Sequence, residues 1–186
     1  MYDGKLLVVD GKLAAGEDCC CNKCSYIEII YDWTFGNNVD LDTKTTFNGV
    51  SLGFRCNGGN CGFQGPPGCG DQYMTWSGDN VEQSGTETVV VLAKKALTDG
   101  VWNNQTNIEL HAWWYLPADG PQGGPTKVFI RSFDDNNNLC KEVCLITGNL
   151  PEIDEGCNNN LIATIIVTDV GGNIDFEING NGINNC

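Results

Sequence analysis

From position 26 to 35 apolar and polar side chains alternate. Ile27, Ile29, Tyr31, Trp33 and Phe35 fall on one side of an extended chain, and Glu28, Asp32 and Thr34 on the other. A period of two marks a half-buried strand. Gly36-Asn37-Asn38 then supplies turn chemistry. A second alternation sets Val39, Leu41 and Phe47 against Asp40, Asp42 and Lys44. Asp40 and Asp42 therefore share a face, about 6 to 7 Å apart at the rise of two strand residues.

The same reading extends along the chain. Residues 51–55 and 73–76 are short strands, and the β-branched run at 88–93 suits a strand central in a sandwich. Residues 94–99 allow one helical turn. In NIELHAWWYL, Ile108, Leu110, Ala112, Trp114 and Leu116 alternate with Glu109, His111, Trp113 and Tyr115. Residues 127–133 form a strand that ends in the turn run DDNNN. Residues 161–178 read as a hairpin folded at Gly171-Gly172, with Ile174, Phe176 and Ile178 turned inward on the return. Near the start, the apolar Leu6, Leu7, Val8 and Val9 are followed by Asp10-Gly11 and by Leu13 in a returning segment, the signature of a hairpin. About eight to ten short strands with hardly any helix predict an all-β protein, an antiparallel β-sandwich. Residues 1–24 form an N-terminal hairpin arm with a cysteine cluster, and residues 25–186 form the sandwich domain.

With 186 residues, 41% of them apolar, one domain with a packed core is expected. The formal charge of −14 opposes phosphate backbones and anionic lipid surfaces, so nucleic acid is not expected as a partner. No apolar run approaches the roughly 20 residues that span a bilayer, so membrane insertion is not expected.

Eleven cysteines with one histidine point to disulfides more than to zinc. Cys19, Cys20, Cys21 and Cys24 are too close in sequence to pair easily with one another. Candidate partners are Cys56, Cys61 and Cys69 in a Gly/Pro-rich loop. Cys140, Cys144, Cys157 and Cys186 form a late group, and the connectivity stays open. The chain opens without a basic region followed by an apolar stretch and a cleavage site. A disulfide-bonded protein of this kind is expected in a virion or another extracellular setting, reached for instance by cell lysis.

The order NNVDLDTKTTF, WSGDN and GTETVVV resembles that of the tellurium-resistance TerD-like family, calcium-binding β-sandwiches, over roughly residues 26–135. In that family a strand carrying DLD is followed by a T-G-D-N loop and by an acidic segment that enters a core strand. The matching positions are Asp40 and Asp42, then Ser77, Gly78, Asp79 and Asn80, then Glu87. The resemblance implies a sandwich and calcium as a possible cofactor, held by Asp40, Asp42, Asp79, Asn80 and Glu87. The cysteines, the arm and the aromatic strand depart from the family, so its stress-response role is not carried over. Read without the resemblance, the same residues solvate loop ends and cap turns.

No catalytic constellation emerges. His111 lies mid-strand among aromatics, no G-x-S-x-G elbow is present, and the paired acids Asp134/Asp135 and Glu152/Asp154 sit in turn-rich sequence. The expectation is a non-enzymatic structural protein of a virion, a phage head or tail component, or of another extracellular assembly. It would associate with copies of itself or other assembly proteins through Leu6, Leu7, Val8, Val9 and Leu13. The alternative is a calcium-dependent carbohydrate-binding module that stacks a glycan on an exposed Trp113 and Tyr115 face. Burial of that face beneath a loop is the competing expectation.

Overall fold

The computed structural model describes residues 8–9, 12–13, 23–34, 40–54, 69–82, 84–115, 124–153, 160–180 and 184–185. In chain order the strands are β1 (Val8–Val9), β2 (Lys12–Leu13), β3 (Cys24–Asp32), β4 (Asp40–Phe47), β5 (Val50–Gly53), β6 (Cys69–Gly70), β7 (Met74–Trp76) and β8 (Thr86–Val91). The helix α1 (Ala93–Thr98) follows. Then come β9 (Gln105–Tyr115), β10 (Lys127–Asp134), β11 (Leu139–Ile146), β12 (Glu152–Ile153), β13 (Leu161–Asp169), β14 (Ile174–Asn179) and β15 (Asn184–Asn185). Ten of these strands run three residues or longer, as the alternation predicts. Phe35, Val39, Leu116 and most of the cysteines lie outside the described residues.

Two sheets pack against each other. One has the order β15-β11-β10-β3-β8-β7-β6, and the other β14-β13-β9-β4-β5, with the short β12 added in parallel to β9. Every other pairing is antiparallel. β3 is central to the first sheet, because Ile27, Ile29, Tyr31 and Trp33 are all fully buried and its flanks are taken by β10 and β8. They meet Leu41, Phe47, Ile108, Leu110, Ala112 and Trp114 from the second sheet in one contiguous core. Each buried Ile, Leu or Phe among them stabilises the fold by about 1.5–3 kcal/mol relative to leaving it in water.

The turn chemistry behaves as read. Gly171 and Gly172 adopt φ of 65° and 84° at the tip of the β13–β14 hairpin, a region that glycine enters without a Cβ penalty. Asp134 closes the turn after β10 by accepting from the amides of Asn136 and Asn138 and from the Asn138 side chain. The N-terminal hairpin pairs Val8 with Leu13 and Val9 with Lys12, and among the described residues this ribbon is a two-stranded sheet apart from the two large ones. Leu6, Leu7, Asp10 and Gly11 lie outside the described residues. Among the described residues no helix is long and apolar enough to cross a membrane.

Three features differ from the sequence reading. β11 was not foreseen, because LCKEVCLI places Lys141 and Glu142 side by side and shows no clean alternation. Its charges are satisfied laterally, Lys141 Nζ by Asp175 and the Phe176 carbonyl, and Glu142 by Arg131. In β4 the polar side of the alternation is not solvated, since Asp42 is 2% and Lys44 6% exposed. Finally, Cys24 pairs with Cys140, not with the Cys56, Cys61 and Cys69 group. Cys24 lies opposite Asp134 in the β3–β10 register, so the turn after β10 returns the chain to within a Cα–Cα distance of 6.2 Å. Cys144 is also disulfide-bonded.

Peptide mapping without reduction is expected to recover Cys24 linked to Cys140. Replacing both by Ser is expected to lower stability to denaturant by about 2–4 kcal/mol. A Cys24 peptide linked to Cys56, Cys61 or Cys69 would contradict the fold.

Candidate metal centre

The loop between β7 and β8 is shaped by its own polar groups. Gly78 takes φ of 98°, which lets the chain turn immediately after Trp76. The Ser77 amide donates to the Thr88 carbonyl at 2.8 Å, and the Thr88 amide returns a bond to Ser77 Oγ at 3.0 Å. Asn80 Oδ1 accepts from the Glu82 amide, and Asn80 Nδ2 donates to the Thr86 carbonyl. This ties down both sides of the Asp79 position. Trp33 closes the loop from β3, its Nε1 donating to the Glu82 carbonyl at 3.1 Å.

Beneath the loop lies Glu87, fully buried on β8. A carboxyl in that position costs several kcal/mol unless donors meet it. Thr43 Oγ1 on β4 and Trp76 Nε1 on β7 donate to its Oε2, and the Asn80 amide donates to its Oε1 at 3.1 Å. Burial still pushes its pKa well above the ordinary carboxylate range, with Asp79 and Asp42 adding to the rise.

The outcome of this loop geometry is a convergence. Asp40 and Asp42 on β4 and Asp79 on the loop from the opposite sheet bring one oxygen each within 4.8 Å of one another. Among the described residues, Asp40 Oδ1 and Asp79 Oδ1 are buried and accept no hydrogen bond. Burial first, and then the charge of Asp79, push Asp40 up to about 7. Burial raises Asp79 as well. On Asp42 one oxygen is spoken for, because Trp113, directly opposite in the β4–β9 register, donates its Nε1 to Asp42 Oδ2 at 3.0 Å. The donor set is all carboxylate oxygen, the chemistry of a hard cation such as calcium rather than of zinc.

Of the five residues that the resemblance assigned to metal, three come together and two do not. Asn80 has its side-chain oxygen committed to the turn, and Glu87 is held from behind the cluster by Thr43, Trp76 and the Asn80 amide. Trp113 is also not the flat exposed ring of a glycan platform. It is fully buried, while Tyr115 is 36% exposed. Both sides of β9 are covered from Leu110 to Trp114, so of the two expectations for Trp113 it is burial that holds. Thr43, Trp76 and Trp113 are the positioning residues that sequence reasoning missed. The only signal for them is that buried acids demand donors, and which donors lie nearby depends on strand register. His111 is buried on β9, with its Nε2 3.5 Å from Glu109.

Comparison of the chain with models of protein families, with curated proteins and with solved structures finds no match.

With chelator present, the raised acids have a definite pH signature. A carboxyl whose folded pKa lies above its unfolded value is bound to more protons in the folded state between the two values. Its favourable contribution is complete below the unfolded value near 4 and is lost as pH rises towards about 7 for Asp40. Denaturant unfolding of the chelated protein is therefore expected to show wild type losing stability relative to Asp40→Asn as pH rises from about 4 to 7. A difference between the two proteins that is constant with pH would show that Asp40 titrates normally.

Proposed function

We propose that this protein is a non-enzymatic, calcium-stabilised β-sandwich that serves as a structural component of a virion or another extracellular assembly. The convergence of Asp40, Asp42 and Asp79, with buried and unpaired oxygens on Asp40 and Asp79, carries this reading. Desolvated carboxylates this close repel one another, and a divalent cation turns that repulsion into attraction. Calcium takes 6–8 oxygens at about 2.3–2.6 Å. Asp40 and Asp79 offer oxygens that accept no hydrogen bond among the described residues, Asp42 adds a third carboxylate, and water completes the shell. The ligands come from both sheets, so a bound ion would act as a clamp between them. The TerD-like order of acidic elements supports the same reading.

The assembly role rests on other features. The Cys24–Cys140 bond and the bonded Cys144 suit oxidising surroundings. A two-stranded ribbon is marginal in water by itself. The β1–β2 hairpin, which Leu6 and Leu7 precede in the sequence, is suited to docking on the sheet of a neighbouring copy, where backbone pairing supplies affinity.

Terbium, which replaces calcium among oxygen ligands, tests the centre. The Trp113 contact to Asp42 is expected to sensitise its luminescence, and Trp113→Phe to dim the emission while calcium still competes. Asp40→Asn and Asp79→Asn are expected to abolish binding. Calcium at 100 times its dissociation constant is expected to stabilise chelated wild type by about 2.7 kcal/mol and the Asp variants hardly at all. An unchanged melting temperature on adding calcium to the chelated wild type would remove the proposal's basis.

The arm is tested by deletion. A chain lacking residues 1–18 is expected to fold and to bind terbium, but to remain monomeric by light scattering where the full chain associates. Equal association of the two chains would move the contact elsewhere on the sandwich.

A further inference from the structure

A cleft of about 360 Å³ opens between the start of β3, the helix α1 and the turn after β10. It shares no residue with the acidic centre and lies roughly 20 Å away along β3. Its volume falls within the range of small-ligand sites.

The walls are set by the fold rather than by loose side chains. Tyr26 lines the cleft while stacking on Phe133, with ring centroids 5.2 Å apart and planes 16° from parallel. Its hydroxyl donates to Asn137 Oδ1 at 3.1 Å. Cys24, adjacent to Ser25, is bonded to Cys140 just beyond the turn that carries Asp135. The disulfide thus pins two walls together, and a fixed aromatic wall avoids an ordering cost on binding.

The polar groups are balanced. Lys94 Nζ contacts Asp135 at 2.9 Å and Ser25 Oγ at 3.3 Å. Lys95 pairs with Asp99 four residues on. Each cation already faces a carboxylate, so neither an anionic nor a cationic ligand finds an unmatched partner. An anion would also approach a chain of formal charge −14. A neutral polyhydroxyl ligand suits the set, because its hydroxyls donate to Asp99 and Asp135 and accept from the lysines, while one apolar ring face covers Tyr26.

We infer that this cleft binds a small uncharged saccharide, independently of the acidic centre. The test is titration of the full, oxidised chain with glucose, galactose, N-acetylglucosamine and their short oligomers, followed by amide chemical shifts. At least one member is expected to bind saturably and to shift Ser25, Tyr26 and the α1 amides. Tyr26→Ala and the pair Lys94→Met with Asp135→Asn are expected to weaken binding at least tenfold. Both should stay folded with a cooperative melting transition and keep the terbium signal, which separates loss of this site from loss of the fold or of the metal centre. Chelator is expected to leave saccharide affinity unchanged. Absence of binding across the panel, binding that survives both variants, binding lost on chelation, or preference for sialic acid or glucosamine would each overturn the inference.

Discussion

The burial of one carboxyl between two sheets is the constraint from which the rest of the site follows. Glu87 sits on an interior strand of its sheet, beside the central β3, and reaches no solvent. It is tolerated because each nearby element contributes a donor: Thr43 from the opposite sheet, Trp76 from the adjacent strand, and the Asn80 amide from the loop above. Removing any one of them leaves a buried acceptor short, which costs about 1–3 kcal/mol. The network therefore dictates where the β7–β8 loop sits, and with it the position of Asp79. Asp79 meets Asp40 and Asp42 because Glu87 holds the chain there.

This arrangement puts the least hydrophobic part of the interior where the two sheets exchange polar contacts. Tyr31 extends the pattern by hydrogen bonding Thr45 Oγ1 at 2.8 Å, so β3 and β4 are linked by hydroxyls as well as by apolar packing. Such networks specify register, since a slip of one residue would turn Thr43 and Thr45 away from their partners and aim Asp42 and Lys44 between the sheets in their place. The surrounding aromatics, with Trp33, Trp76, Trp113 and Trp114 all fully buried, exclude water and strengthen every interaction among these charges. The opposite end of β3 differs in kind. There a disulfide, a stacked aromatic pair and matched ion pairs border an open cleft, and rigidity comes from covalent linkage.

Much of the sandwich was legible from alternation alone. Residues 26–33, the β-branched run on β8 and the Gly171-Gly172 hairpin carry strong period-two or turn signals, and local physics decides them. β11 was not legible, because Lys141 and Glu142 interrupt its pattern and are satisfied only by Asp175 on β14 and Arg131 on β10. The pairing of Cys24 with Cys140 was equally hidden, since spacing does not encode which strand ends become neighbours.

For the site, the sequence by itself determined that Asp40 and Asp42 share a face and that a glycine-shaped acidic loop precedes a core strand. Those are consequences of strand period and turn chemistry within a few residues. Only the tertiary structure decided that Asp79 joins them, that Asn80 and Glu87 stand behind, and that Trp113 is a buried donor to Asp42 instead of an exposed platform. The reason is that coordination and burial depend on atoms brought together across two sheets and across as many as 71 positions of sequence, and no local pattern carries that register.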